Sequence, residues 1–161
     1  MTIRYVEGDI FADPERVLVH GCNAFGKMGA GFALQVKRLY PEAFRADRAA
    51  FESLDDRQAG LPLGSATWVR AADGRLIVNA VTQRDHGRAK GRVYVDYEAV
   101  RTVLRAIDAR ARSDGFEAVA FPLIGAGLAG GSWTILSQII EAEARAFEPF
   151  VYLFDGIRPE P

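Results

Sequence analysis

The chain carries 161 residues, 49% of them hydrophobic, with 20 Lys and Arg against 21 Asp and Glu for a net charge of -1. That length and composition predict one globular domain with a real core and exclude a disordered chain. The balanced charge argues against a dedicated nucleic-acid binder, the lack of a long apolar run argues against a membrane span, and a single cysteine, Cys22, excludes an intrachain disulfide.

In chain order, residues 3–6 read as a first strand ending at Gly8-Asp9-Ile10. No signal-peptide pattern precedes it, and with the lone thiol this predicts a reducing, cytoplasmic setting. Residues 11–16 are a connection with an Asp13-Pro14 turn signal. Residues 17–20 are a short buried strand. A glycine-rich loop follows, then a helix with apolar positions Phe32/Ala33, Val36 and Leu39/Tyr40. Pro41 stops or restarts that helix, and 44–57 reads as a second helical stretch. Residues 60–64 are a loop. Strands over 66–70 and 76–81 join through Asp73-Gly74, a strong hairpin dipeptide.

Residues 82–92 form a polar loop in which Arg84, Arg88, Lys90 and Arg92 crowd together, read as a solvated segment. Asp85 and His86 are read there as surface residues. Tyr97, Val100, Leu104, Ile107 and Ala111 repeat at helical spacing, with Asp96 as N-cap, Tyr97 as a core anchor and Gly115 near the C-cap. Residues 118–121 are a buried strand and 122–131 a second glycine-rich loop. Leu136, Ile139 and Ile140 trace a last helix with Glu143 on its boundary. Residues 150–154 are a last strand, and Pro159, Glu160 and Pro161 a short tail. Strands and helices alternate, so the class is α/β, a three-layer sandwich with helices on both faces of a central sheet. The hairpin makes that sheet mixed.

Two features point to an anionic ligand. Each glycine-rich loop leaves a buried strand and enters a helix, where free N–H groups face outward and glycines let a backbone come close. The second loop contains a literal G-x-G-x-x-G from Gly125 to Gly130. Only one helix and one strand remain after it, so a dinucleotide-binding βαβ series is excluded. Two such loops at strand ends predict a clamp on a diphosphate.

Four segments together resemble the macrodomains, a family that binds ADP-ribose. They are Gly8-Asp9-Ile10; Val19-His20-Gly21-Cys22-Asn23 with Met28-Gly29-Ala30-Gly31-Phe32-Ala33; Asn79-Ala80-Val81-Thr82-Gln83; and Pro122-Leu123-Ile124-Gly125-Ala126-Gly127-Leu128. They run in family order across nearly the whole chain. The wording is most similar to the branch holding the terminal ADP-ribose protein glycohydrolases and the phage-type ADP-ribose-1''-phosphate processing proteins. The resemblance implies a single macrodomain over 1–161, with ADP-ribose and ADP-ribosylated proteins as partners and no cofactor; two histidines and one cysteine far apart offer no metal-ligand cluster, and the oligomeric state is left open between monomer and higher states. It implies that Asp9 accepts a hydrogen bond from adenine and Ile10 lies against the ring. Met28, Gly29, Ala30, Gly31 and Phe32 would wrap the diphosphate and distal ribose, and Asn23 would bind that ribose. Gly125, Ala126, Gly127, Leu128, Ala129 and Gly130 would hold the diphosphate. Phe154 is a candidate for stacking on adenine or, equally, for core packing.

The chain departs from that branch at two positions. Where glutamate-specific members carry a lysine after the Val-Thr dipeptide, this chain has Gln83, and where they carry an aspartate it has Ala129 or Ser132. A glutamine forms no Schiff base and is no general base. The expectation is therefore an ADP-ribosyl hydrolase without the lysine nucleophile. It would remove mono-ADP-ribose from acidic side chains, with related activity on O-acetyl-ADP-ribose, and Asn23, Gln83 and Ser132 would orient water or ribose. A non-catalytic ADP-ribose reader and an ADP-ribose-1''-phosphate phosphatase are the alternatives. His20 and Cys22 read as buried structural groups rather than a nucleophile pair, and Trp133 as packing beneath the second loop.

Overall fold

The computed structural model describes residues 1–14, 16–154 and 156. The tail at Pro159, Glu160 and Pro161 lies outside the described residues. Ten main elements follow one another: β1 (Arg4–Glu7), β2 (Val17–Asn23), α1 (Gly31–Leu39), α2 (Pro41–Glu52), β3 (Ala66–Arg70), β4 (Leu76–Gln83), α3 (Tyr97–Asp114), β5 (Ala118–Phe121), α4 (Trp133–Glu143) and β6 (Glu148–Leu153). A 3-10 turn, Ile10–Ala12, follows β1. The strands lie in the order β1-β6-β5-β2-β4-β3. All neighbours are parallel except β3 and β4, which form the predicted hairpin.

Strand alternation sorts the core into two layers. Leu18, Ile77, Ala120 and Tyr152 pack with Val36 of α1 and Ala43 of α2. Val17, Val19, Val78, Val119 and Phe121 pack with Val100, Leu104 and Ile107 of α3 and Leu136 and Ile140 of α4. Helices thus cover both faces, as the sequence predicts. The caps behave as expected at α3: Asp96 accepts from the Ala99 N–H at 2.9 Å, and Gly115 ends the helix in the left-handed region. Among the described residues no helix is long and apolar enough to cross a membrane.

Several boundaries differ from the sequence expectation, β6 among them, which runs Glu148–Leu153 and stops before Phe154. Pro41 restarts the helix at its first position, and α2 ends at Glu52 rather than 57. The Ser53 hydroxyl turns back to donate to the Ala49 carbonyl, and Asp56 accepts from the Gln58 N–H, so the chain there makes turns. Strand β2 runs on through Gly21, Cys22 and Asn23, because β4 supplies partners at Ala80, Val81 and Gln83 that local propensity does not reveal. For the same reason Thr82 and Gln83 belong to β4, not to the loop after it.

The sheet opens at one place. β2 pairs with β5 only at Val17–Val119 and Leu18–Ala120, while its pairing with β4 continues to Asn23. After β2 the chain leaves for α1 and α2 on one face; after β5 it leaves for α4 on the other. In α/β sheets such a divergence, at the carboxyl ends of the strands, leaves a crevice for ligands.

Candidate functional site

A cavity of about 700 Å³ occupies that crevice. It has three walls. The first runs from Gly21 through Asn23 to the start of α1, the second is the loop from Pro122 to Ala129, and the third is Gln83 with His86, Gly87 and Arg88.

The first wall is braced by a side chain. Asn23 Nδ2 donates to the Lys27 carbonyl at 2.7 Å, and Asn23 Oδ1 accepts from the N–H groups of Phe25 (2.9 Å) and Lys27 (3.4 Å). Its amide therefore shapes the loop first, with one N–H left over for a ligand. Arg48 of α2 donates to the Phe25 carbonyl behind it. Helix α1 then starts with Ala30 at its N-cap and no side-chain cap, so the N–H groups at Gly31, Phe32 and Ala33 open toward the cavity these residues line. Gly31 holds φ +57°, a backbone conformation that favours glycine, and its nearest neighbour across the cavity is the Leu128 side chain, 2.9 Å from where a β-carbon would stand.

The second wall is braced by backbone. Gly131 N–H donates to the Gly125 carbonyl at 2.8 Å and Gly130 N–H to Gly127 at 3.0 Å. The N–H groups of Gly127, Leu128 and Ala129 meet no acceptor among the described residues, an arrangement suited to an anion. The third wall is clasped to both others. Ala24 N–H donates to the Arg84 carbonyl, and Tyr94 N–H to that of Ala129 at 2.7 Å. Gln83 Nε2 donates to the Asp85 carbonyl at 2.7 Å, and Arg92 pairs with Asp85.

The charge of the lining is one-sided. Lys27 and Arg88 line the cavity beside the His86 ring, and among the described residues no carboxylate does. The chain's overall balance conceals a basic pocket.

Behind the first wall lies a buried polar group. His20 Nε2 donates to Asn79 Oδ1 at 2.7 Å; burial pushes the imidazole down to about 4, partly offset by that bond. Burial, and then the charge of Asp47, push the Cys22 thiol well above its usual range. A neutral imidazole beside a protonated thiol fits the structural role expected of both. Asp47 is 1% exposed, and neither carboxylate oxygen has a hydrogen-bond partner among the described residues. Burial raises it to about 6, against the lowering effect of Arg48.

The structure brings together Asn23, Gly29, Ala30, Gly31, Phe32, Gln83, Gly125, Gly127, Leu128 and Ala129 around one cavity. Met28 is fully buried and, like Ala126 and Gly130, is not part of the lining. Ser132 also lies outside: the Gly131–Gly125 bond turns the second loop back, and the Ser132 N–H donates to Tyr97 Oη at 2.9 Å at the head of α4. Asp9 and Phe154 leave the sheet side by side, since the Gly8 N–H donates to the Leu153 carbonyl. Asp9 Oδ1 accepts from the Phe11 N–H, whereas the Ile10 side chain is buried beneath α1 and α2. Phe154 is 87% exposed, which excludes core packing. Trp133 is buried, and its ring N–H donates to Tyr5 Oη.

Of the third wall, the sequence points to Gln83 but not to His86, Gly87 or Arg88. His86 and Arg88 were expected to be solvated surface; they are exposed, but they face the cavity mouth. The available signal was their position directly after a strand whose end, Gln83, was already assigned to the site.

The Macro domain family model matches residues 19–140. A DNA ADP-ribosyl glycohydrolase of Thermus aquaticus is 32% identical over 150 residues, which is 91% of this chain but only 39% of that protein. The ADP-ribose glycohydrolase OARD1 of Bos taurus is 31% identical over 140 residues, 86% of this chain and 82% of that protein. The macrodomain of Thermus aquaticus DarG superposes with a TM-score of 0.75 at 28% identity, covering 94% of this chain and 98% of that one.

Proposed function

This chain belongs to the Macro domain family, and from that premise we propose that it is an ADP-ribosyl hydrolase that releases ADP-ribose from a modified carrier. The observation that carries this is the cavity between two amide-rich loops, lined by Lys27, His86 and Arg88 and by no described carboxylate. Such a lining favours a ligand with two phosphates. The diphosphate lies between the start of α1 and the N–H groups of Gly127, Leu128 and Ala129. The adenine end extends toward Asp9 and Phe154, and the distal ribose toward Asn23 and Gln83.

The carrier we favour is an acidic side chain. Its ester leaves as a carboxylate, so a weakly activated water suffices, and placement of that water supplies much of the rate. Gln83 cannot act as a nucleophile, and its side-chain carbonyl is suited to orienting water or a ribose hydroxyl. A DNA carrier is a second reading, favoured by the printed name of the Thermus relative and by the basic residues at the mouth.

Incubation with a glutamate-ADP-ribosylated protein, an ADP-ribosylated DNA oligonucleotide and ADP-ribose-1''-phosphate tests the proposal. Release of ADP-ribose from the protein above the uncatalysed rate supports the favoured carrier. Release from DNA alone transfers the activity to the second. Phosphate release alone makes the protein a phosphatase, and tight ADP-ribose binding without turnover makes it a reader.

A further inference from the structure

Among the described residues that line the cavity, Cys22, Lys27, His86 and Arg88 carry side chains that can ionise. Burial holds the Cys22 thiol protonated, and lysine and arginine keep their protons near neutral pH. Among them only the imidazole exchanges a proton there. His86 also stands at the distal-ribose end. The pairing of β2 with β4 reaches Asn23 and Gln83, and the Ala24 N–H donates to the Arg84 carbonyl at 3.1 Å. Gln83 Nε2 then donates to the Asp85 carbonyl at 2.7 Å. The chain thus turns back beside the Gln83 side chain, and His86 lines the cavity next to it. Both neighbours of His86 are pinned. Asp85 pairs with Arg92, and Gly87 packs so closely on Tyr94 that a β-carbon there would lie 2.5 Å from the phenol oxygen. His86 is therefore an exposed side chain on a braced backbone. A carrier protein is far too large for a cavity of about 700 Å³, so it stays outside, and the C1''–carrier bond lies across the mouth that His86 faces.

We propose that His86 is a catalytic residue that donates a proton to the carrier atom departing from C1''. The proposal rests on the hydrolase reading above. In the step it serves, a water oxygen bonds to C1'' and the C1''–carrier bond breaks. The electron pair of that bond takes the imidazolium proton, the surplus proton of the water passes to solvent, and solvent reprotonates the imidazole. Lys27 and Arg88 line the same cavity and oppose the imidazolium; the two phosphates of the ligand offset them. Asp85, next in the chain, is engaged by Arg92. A proton donor matters least for a carboxylate, which leaves readily, and most for a base nitrogen or a hydroxyl. His86 thus widens the range of carriers the site can release.

His86→Gln removes the proton donor and keeps a polar side chain. The expected result is a fall in kcat of roughly 10-fold on a glutamate carrier and roughly 100-fold on a nucleobase carrier, with ADP-ribose affinity within about twofold of wild type. The thermal midpoint holds. The wild-type kcat falls as pH rises across the imidazole range, roughly pH 5 to 8, and His86→Gln loses that fall. Asp47, raised to about 6 behind the first wall, is the other group that titrates there, and Asp47→Asn keeps the fall. Free imidazole restores part of the rate to His86→Ala. An unchanged kcat or an unchanged pH profile in His86→Gln overturns the proposal, as does a loss of affinity as large as the loss of rate. If the wild type releases nothing from any carrier, the hydrolase reading has failed by itself. Proton NMR with ADP-ribose bound then decides. The chain has two histidines, so comparison with His86→Gln assigns the ring signals. A nuclear Overhauser contact between the His86 ring and the distal ribose keeps the placement; none overturns it.

Discussion

The two loops that face each other across the cavity are held in opposite ways. The first is shaped by side chains: the Asn23 amide ties Phe25 and Lys27, and Arg48 reaches it from α2. The second is shaped by its own backbone, through Gly131–Gly125, Gly130–Gly127 and the Tyr94–Ala129 clasp. A side-chain brace can be removed without adding atoms, whereas a backbone brace fails only when atoms are inserted. Behind the first loop also lies a buried carboxylate, Asp47, whose charge reaches Cys22.

The largest expected effect comes from inserting atoms into the second loop. Gly125 holds φ +75°, and a β-carbon there would meet Val95 Cγ2 at 2.8 Å. Gly125→Val should cost about 3 kcal/mol or more in a urea titration and abolish ADP-ribose binding in calorimetry. Gly127→Trp is the control. Nothing lies within 4 Å of a β-carbon at Gly127, so affinity should fall at least about 100-fold by occlusion while the thermal midpoint holds.

Second comes Asp47, behind the first loop. Its pKa of about 6 in the folded state stands above the ordinary 3.8, so the native state takes up a proton that the unfolded chain does not. Stability is therefore lost as pH rises through that window. At pH 7.5 Asp47→Asn should stabilise by roughly 3 kcal/mol, and by pH 4 the difference should vanish. His20 works in the opposite direction: held down to about 4, it loses stability as pH falls from its ordinary 6.5. The wild type should thus vary little between pH 4 and 6.5, and Asp47→Asn should uncover the His20 loss. Urea titrations across that range check both signs.

Asn23→Ala comes next. Leaving the Phe25 N–H and the Lys27 carbonyl without their partner should cost about 2 kcal/mol and weaken ADP-ribose roughly tenfold, since the first loop loses its shape but not its amides. The smallest effect is at the rim. Arg88→Ala should weaken ADP-ribose by only about threefold, a difference that added salt removes.

The same contrast explains what the sequence made legible. The apolar run Val17-Leu18-Val19, the helical repeat from Tyr97 to Ala111 and the Asp73-Gly74 turn each act locally, so strands, helices and the mixed sheet follow from them. Both glycine loops were legible for the same reason. The parts that escaped depend on pairing between distant segments. Cys22 and Asn23 become strand only because β4 lies beside them. His86 and Arg88 face the cavity only because Tyr94 fastens their loop to Ala129. Ser132 leaves the site because the second loop folds back on itself at Gly131, a bond no local preference announces.

The most direct measurement is the release of ADP-ribose from a mono-ADP-ribosylated carrier by the wild type and by Gly127→Trp, side by side. The account predicts release well above the uncatalysed rate for the wild type and none above it for the variant. Equal release by both proteins, or no release by either from any carrier offered, would contradict it.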